Sequence, residues 1–355
     1  MLYFDATNSL NSRTKSGLQR VAQALRRALE AETALQPVTW NTRRAAYLLA
    51  DGGAAIQWTP EDTLLIPDIF SEEDRPGYAD FIAACPAQTT AIFHDAIPLR
   101  FPEFTWPHSV RKAPRYLKDL SLFDRVFAVS NQSRRELTGF WDWLNLDNQP
   151  PVTVVPSGAD IHPDRPRKTS ENIPTGKQVL KTGILEPRKN QTASLAAARI
   201  LHEQGVDFRL GFVGRVNPHY GKPITQAIRK AAKAGVPAKH HGKISDDELA
   251  ALYREARFTL LPSRAEGNGL PVLESLWQGL PVICSNLPAA QDWAEGASVR
   301  VVDPLTPESL AAAMRDWLED DAAYAEAVRH ARGIALPTWR ECAQKVLSIL
   351  AEPPK

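Results

Sequence analysis

Residues 258–274 read FTLLPSRAEGNGLPVLE. Phe258 to Pro262 is a short apolar run of the kind a buried parallel strand leaves. The Gly-rich turn Glu266-Gly267-Asn268-Gly269 then opens a helix with Pro271 in its first turn. A strand that delivers the chain into a helix N-terminus presents backbone N–H groups at the positive end of the helix dipole, an arrangement suited to phosphate. Two carboxylates, Glu266 and Glu274, flank those amides, and carboxylates accept hydrogen bonds from sugar hydroxyls. An ordinary strand-turn-helix with exposed glutamates has the same outline. The combination of amides and carboxylates instead points to a sugar joined to a phosphate, for which a nucleotide sugar is the obvious candidate.

The rest of the chain is long enough to frame such a site. With 355 residues it predicts an α/β protein of two domains, each with its own core. A formal charge of +1 argues against a nucleic-acid binder held mainly by electrostatics. Cys85, Cys284 and Cys342 are far apart in sequence and lie in no CxxC or metal-ligand spacing, so a reduced cytoplasm is the simplest compartment. The N-terminus, MLYFDATNSLNSRTKSG, lacks the basic-then-apolar order of a signal peptide, and no apolar run approaches the roughly 18 residues of a spanning helix. The expectation is a soluble or peripheral protein.

The first half alternates strands and helices. Residues 2–6 (LYFDA) read as a strand, the polar stretch TNSLNSRTKSG as a flexible loop, and LQRVAQALRRALEA as a helix with Leu18, Val21, Leu25 and Leu29 on one face. Strand-like runs follow at Pro37–Trp40, Thr63–Pro67 and Thr89–Asp95. The last ends in His94-Asp95, and the carboxyl ends of parallel strands are where α/β sheets place ligands. Phe101 to Lys118 mixes aromatics with Arg111, Lys112, Arg115 and Lys118. Such a segment can rest on anionic lipid or grip an acceptor diphosphate, but the favoured reading is a solvated helix face. A strand at 125–130 leads into a helix capped by Ser130 or Asn131, whose Trp141 and Trp143 are expected to pack. Val152–Pro156 closes this half, and Ser157 to Gln178, polar and proline-rich, is the linker candidate.

The pattern then restarts with VLKTGILEPRKNQTASLAAARILHEQ: a strand, a turn at Gly183, the adjacent cations Arg188 and Lys189, and an amphipathic helix. Those cations lie in a strand-to-helix loop, from which they could reach the same diphosphate as the turn near Gly269. Ser245 and Glu248, three apart, form a capping box for DDELAALYREA, and Thr338 and Glu341 form another for WRECAQKVLSILA.

Glu266-x7-Glu274 with Gly269 and Pro271 in place closely resembles the signature of the retaining family 4 glycosyltransferases of the GT-B fold. GILEPRKN resembles that family's second phosphate-binding loop, and HDAIPLRFPE resembles the HD-x-IP-x-x-x-P form of bacterial mannosyltransferases. The resemblance implies two Rossmann-like domains facing across a cleft: an acceptor-side domain over 1–160, a nucleotide-sugar domain over 175–335, and a last helix near 338–352, starting at Trp339, that packs back on the first. It implies that His94 and Glu266 contact the donor sugar and that Arg188, Lys189 and the amides of Asn268, Gly269 and Leu270 hold the diphosphate. It assigns Glu274 to the ribose hydroxyls and makes Gly17, which with Arg20 matches a Gly-x-x-Arg pattern, the point where the first loop approaches the donor. An aspartate at the place of Asp246 can accept the N1 and N2 protons of guanine, which favours a GDP-sugar.

Two positions depart from the family pattern. Asn268 stands where phenylalanine is usual, and Ile184 where some members carry an arginine. The implied activity is metal-independent transfer of mannose from GDP-mannose, with no cofactor, to a glycan or lipid-linked acceptor in cell-surface polysaccharide synthesis. It would take place in the cytoplasm or at the inner face of the membrane. A UDP-hexose enzyme of the same fold and a non-catalytic sugar-nucleotide binder are the alternatives. A two-domain solute-binding protein is disfavoured by the two phosphate loops.

Overall fold

The computed structural model describes residues 1–11, 17–160, 167, 173–291, 293 and 296–352. The chain divides into two compact units, Met1–Ile161 with Pro337–Lys355, and His162–Leu336. Half of the stretch expected as a linker, 161–166 and 168–172, and residues 12–16 of the expected first loop lie outside the described residues.

In chain order the first unit contains β1 (Leu2–Asp5), α1 (Thr7–Asn11), α2 (Gly17–Glu32), β2 (Leu35–Asn41), β3 (Ala46–Leu49), β4 (Thr63–Ile66), α3 (Tyr78–Ala84), β5 (Gln88–Phe93), α4 (Ile97–Arg100), α5 (Pro107–Asp119), β6 (Arg125–Ala128), α6 (Asn131–Trp143) and β7 (Val152–Val154). The strands form one sheet in the order β3-β2-β1-β4-β5-β6-β7. Every pairing is parallel except that of β2 with the edge strand β3. Central strands of such a sheet are covered on both faces, which is why β4, β5 and β6 are buried along nearly their whole length rather than at alternate positions. Helix α2 buries Val21, Leu25 and Leu29, spaced by one turn, together with Ala22.

Two expectations need correction here. Residues 7–11 are helical rather than loop, because the buried carboxylate of Asp5 accepts the Thr7 N–H at 2.9 Å and the Thr7 hydroxyl at 2.5 Å, which starts α1 directly after β1. Trp141 packs as expected, its Nε1–H donating to the Leu117 carbonyl at 2.7 Å, but Trp143 is 74% exposed. Trp141 lies one turn after Leu137 on the buried face, and two further residues carry Trp143 round to the solvent side. Ser130 is the N-cap of α6, accepting the Ser133 N–H at 3.1 Å.

The second unit contains β8 (Gln178–Thr182), α7 (Gln191–Glu203), β9 (Arg209–Val213), α8 (Gly221–Lys233), β10 (Ala238–Gly242), α9 (Asp246–Glu255), β11 (Ala256–Leu261), α10 (Leu270–Trp277), β12 (Val282–Ser285), α11 (Pro288–Gln291), β13 (Val299–Val302), α12 (Pro307–Glu319) and α13 (Asp321–Gly333). Its six-stranded sheet is parallel throughout, in the order β10-β9-β8-β11-β12-β13. The direction of strand succession reverses between β8 and β11, the position at which sheets of this kind bind ligands.

The final helix, α14 (Trp339–Leu350), returns to the first unit. It is opened by the Thr338–Glu341 capping box, and Arg340 and Gln344 both bond Glu32 at the end of α2, at 2.7 and 3.1 Å. Its start is fixed by Asp160, which accepts the Trp339 N–H at 2.6 Å. A side chain at Gly158 would lie 2.2 Å from that same nitrogen, so only glycine fits. The Arg125 guanidinium takes the carbonyl of Glu352 at 2.9 Å and also that of Ile349.

Candidate active site

At the reversal point of the second sheet, β8 runs out through Gly183 into the turn 187–189, and β11 runs out through Ser263 to Gly269 into α10. Gly183 has φ 120°, a conformation that side-chain-bearing residues rarely adopt, and a Cβ there would lie 3.7 Å from Lys189 Cε. The Lys189 side chain therefore lies directly over the turn. The two loops are tied by the Arg264 N–H, which donates to the Arg188 carbonyl at 2.8 Å.

Their side chains form one ion-pair network. Lys189 Nζ donates to both oxygens of Glu266, at 2.7 and 2.8 Å, and Arg188 Nη1 reaches Glu266 Oε2 at 3.3 Å and the Ala265 carbonyl at 2.9 Å. The other arm of Arg188 bonds Glu186 at 2.8 Å, and Glu186 in turn accepts from Asn217 at 3.1 Å. The side chain of Glu266 is only 7% exposed. Burial alone would raise its pKa, but the charges of Lys189 and Arg188 outweigh burial and hold the carboxyl down at about 2. A carboxylate so paired is a weak base and a weak nucleophile, fitted to positioning.

Beside this pair, Gly269 adopts the left-handed conformation at φ 67° and starts α10 with Pro271 in the first turn and no side-chain cap. Leu270 and the half-buried Asn268 bracket that start. Glu274, one turn into α10, accepts from the Tyr253 hydroxyl of α9 at 3.2 Å. Asp246, exposed, is the first residue of α9, immediately after the N-cap Ser245 and within the Ser245–Glu248 capping box. The network therefore joins Glu186, Arg188, Lys189 and Glu266, with Gly183 beneath it and the α10 terminus alongside.

His94 and Gly17 belong to the first unit. His94 follows β5, is 5% exposed, and places Nε2 2.7 Å from the Pro67 carbonyl. A carbonyl can only accept, so Nε2 carries the proton and Nδ1 is the acceptor of the ring. Burial lowers the His94 pKa, with the Pro67 bond opposing weakly, so the ring is neutral. Its backbone is fixed by Ser133, whose hydroxyl donates to the His94 carbonyl at 2.6 Å. Gly17 is the exposed first residue of α2, with open space where a Cβ would project, so the fold itself does not require glycine there.

The same end of the first sheet holds a second buried network that the sequence reading did not anticipate. Arg75 Nη1 donates to Asp5 at 2.5 Å and to the Tyr47 hydroxyl at 3.0 Å, and Tyr47 donates to Asp5 at 2.9 Å. Asp68, also buried, has an oxygen without a hydrogen-bond partner among the described residues. Burial, reinforced by the Asp5 charge and opposed by Arg75, pushes its pKa up to about 6. The basic segment 101–118 is largely neutralised: Arg111 approaches Glu73 at 3.4 Å, Lys112 meets Asp74 at 3.0 Å, and Arg115 meets Asp119 at 2.7 Å. No described helix is long and apolar enough to cross a membrane.

The sequence reading quoted Glu186 without assigning it, and missed Tyr253 and Lys181. Lys181, in β8, is 1% exposed and borders the Lys189–Glu266 pair. A lysine inside the otherwise apolar run VLKTG, two residues before Gly183, was the available signal.

Comparison with known proteins places these features. Residues 164–333 match the family model described as glycosyl transferases group 1. These residues are similar to group 1 glycosyl transferases. Over 312 residues the chain is 25% identical to the serotype-specific mannosyltransferase WbdA of Escherichia coli, covering 83% of this chain and 38% of that protein. Over 240 residues it is 28% identical to the GDP-mannose-dependent alpha-(1-6)-phosphatidylinositol dimannoside mannosyltransferase of Mycobacterium tuberculosis, covering 64% of this chain and 58% of that one. The chain thus spans less than two thirds of the length of both relatives. Among solved structures, the sucrose-phosphate synthase of Thermosynechococcus elongatus matches with a TM-score of 0.70 at 16% identity, over 99% of this chain and 98% of that one. The fold is GT-B, and the chain is similar to bacterial mannosyltransferases.

Proposed function

We propose that the chain is a retaining hexosyltransferase that moves mannose from GDP-mannose to a glycan or lipid-linked acceptor in cell-surface polysaccharide synthesis. The observation that carries this reading is the Glu266 carboxylate, held by Lys189 and Arg188 beside the uncapped start of α10. It puts an acceptor for sugar hydroxyls, two cations and a row of amides within one small volume. The names of the two relatives support mannose as the sugar, and that of the second supports GDP as the nucleotide.

In this reading the donor diphosphate lies on the amides of Asn268 to Leu270 and draws on Arg188 and Lys189, while Glu274, oriented by Tyr253, takes the ribose hydroxyls. Glu266 orients the sugar. Breaking the sugar–phosphate bond develops charge on the leaving diphosphate, and cations and amides already in place stabilise that charge without reorganising. The departing phosphate oxygen takes the acceptor hydroxyl proton as that hydroxyl attacks the same face of the sugar. No protein nucleophile is assigned, consistent with the ion-paired state of Glu266. Because protein groups supply the positive potential, the transfer needs no metal or other cofactor, and chelation with EDTA should leave the rate unchanged.

In this reading Asp246, exposed at the start of α9, accepts the N1 and N2 protons of guanine, which uracil does not offer. The test compares GDP with UDP by thermal shift and then scores nucleotide release from a panel of GDP- and UDP-sugars, with and without candidate glycans. Stabilisation by GDP with release from GDP-mannose is expected. Selective stabilisation by UDP would move the reading to a UDP-hexose enzyme, and binding without turnover would make the chain a sugar-nucleotide binder.

A further inference from the structure

The strongest unassigned feature is Lys181. It lies on β8, is 1% exposed, and its Nζ has no hydrogen-bond partner among the described residues. Buried ammonium groups are ordinarily paired, since an unpaired buried charge is costly. The charged groups that face it are Lys189 and Arg188 from the turn after β8 and Glu266 from the loop after β11, while its register partner on β9, Phe212, is apolar.

The charges of the site show what such a group could do. Glu186 and Glu266 already balance Arg188 and Lys189 in the four-residue network. A nucleoside diphosphate that draws on the two cations leaves Glu266 buried with its counter-charge shared. Resting on the donor reading above, we infer that Lys181 is a positioning residue: on donor binding it takes a proton from solvent and supplies the counter-charge that keeps Glu266 ionised and in place. Its 1% exposure keeps it from touching the donor, so it acts through Glu266.

The electrostatics agree with this role. Burial first, then the charges of Lys189 and Arg188, lower the Lys181 pKa to about 7, with Glu266 opposing. Near pH 8 the empty site therefore holds a neutral amine. An incoming diphosphate reverses the local field and favours the ammonium, so binding and protonation are linked.

Isothermal titration of the full chain with GDP, or with UDP if that binds more tightly, tests the linkage. The window is pH 7.5 to 8.5, in buffers of different ionisation enthalpy, where a nucleoside diphosphate has already lost its last proton near pH 6. The wild type should take up close to one proton per ligand and lose up to tenfold in affinity across that window. Lys181→Met should take up none and show a flat affinity. Because the substitution replaces a buried amine without a hydrogen-bond partner among the described residues by an apolar side chain, its Tm should equal or exceed that of the wild type. In turnover the variant should lower kcat more than it raises KM, since sugar positioning by Glu266 is what is lost. Wild-type binding without proton uptake, or identical uptake in Lys181→Met, overturns the inference while leaving the donor reading intact. No binding of either nucleotide overturns both.

Discussion

The two sheets carry buried charge at equivalent places and leave it unbalanced in opposite senses. Taken in chain order, the first sheet runs 3-2-1-4-5-6-7 and the second 3-2-1-4-5-6, and in each the cluster lies at the carboxyl ends of the strands flanking the reversal point. In the first unit Asp5 and Asp68 share, among the described residues, one cation, Arg75. In the second, Lys181, Arg188 and Lys189 face Glu186 and Glu266. One cluster has a surplus carboxyl and the other a surplus amine. In each, the surplus group is the one without a hydrogen-bond partner among the described residues, and its pKa moves toward neutrality, up to about 6 for Asp68 and down to about 7 for Lys181. The same scaffold is thus biased toward hydroxyl donors on one side and toward phosphate on the other.

The largest expected effect breaks the first cluster. Arg75→Met removes the cation paired with Asp5 beside buried Asp68, and losing one partner of a buried ion pair costs about 3–5 kcal/mol. Chemical denaturation should register that loss, and adding Asp5→Asn should recover much of it, because the double change removes both charges. If Arg75→Met costs no more than an exposed substitution, the cluster is not a structural ion pair and the comparison fails.

The next effect lies in the second cluster and is read in rate rather than stability. Lys189→Ala should reduce transfer at least tenfold, about 1.4 kcal/mol of transition-state stabilisation. Its cost in stability should be smaller than that of Arg75→Met, since Arg188 remains on Glu266 at 3.3 Å. Glu274→Ala should lose a similar factor, mostly in KM, if its role is to hold the ribose. Full activity in both variants would sink the donor assignment.

How far each cluster was legible in the sequence follows from how local it is. The turn after β11 and the turn after β8 announce themselves within nine residues each, because glycine, proline and charge at fixed spacing encode a strand-to-helix exit. The pairing of Lys189 with Glu266 spans 77 residues and that of Arg75 with Asp5 spans 70, and no periodicity reports either. Lys181 drew no reading from the sequence, because its significance depends on Lys189, Arg188 and Glu266 being brought around it by the fold. The antiparallel edge strand β3 was hidden for the same reason, since it exists through its register with β2, Trp40 opposite Tyr47. Asp5 was read only as a strand end, although its carboxylate both starts α1 and anchors Arg75.

The smallest expected effect sharpens the comparison through pH. A carboxyl whose folded pKa lies above its unfolded value binds more protons in the native state, so stability falls as pH rises through that window and is level above it. For Asp68 the window runs from about 4, the ordinary value, to about 6. Asp68→Asn has no such group to titrate. At pH 7.5 the variant should therefore melt about 2–4 °C above the wild type for each kcal/mol of relieved charge. The gap should close toward pH 4.5, where the wild-type carboxyl is protonated as well. Lys181→Met should behave in the mirror sense: for a lysine lowered to about 7, wild-type stability rises with pH between about 7 and 10.5, so the variant's advantage should be greatest near neutrality and below and fade in alkali. Parallel rather than opposed pH profiles for the two variants would mean that the surplus charges of the two clusters are not of opposite sign.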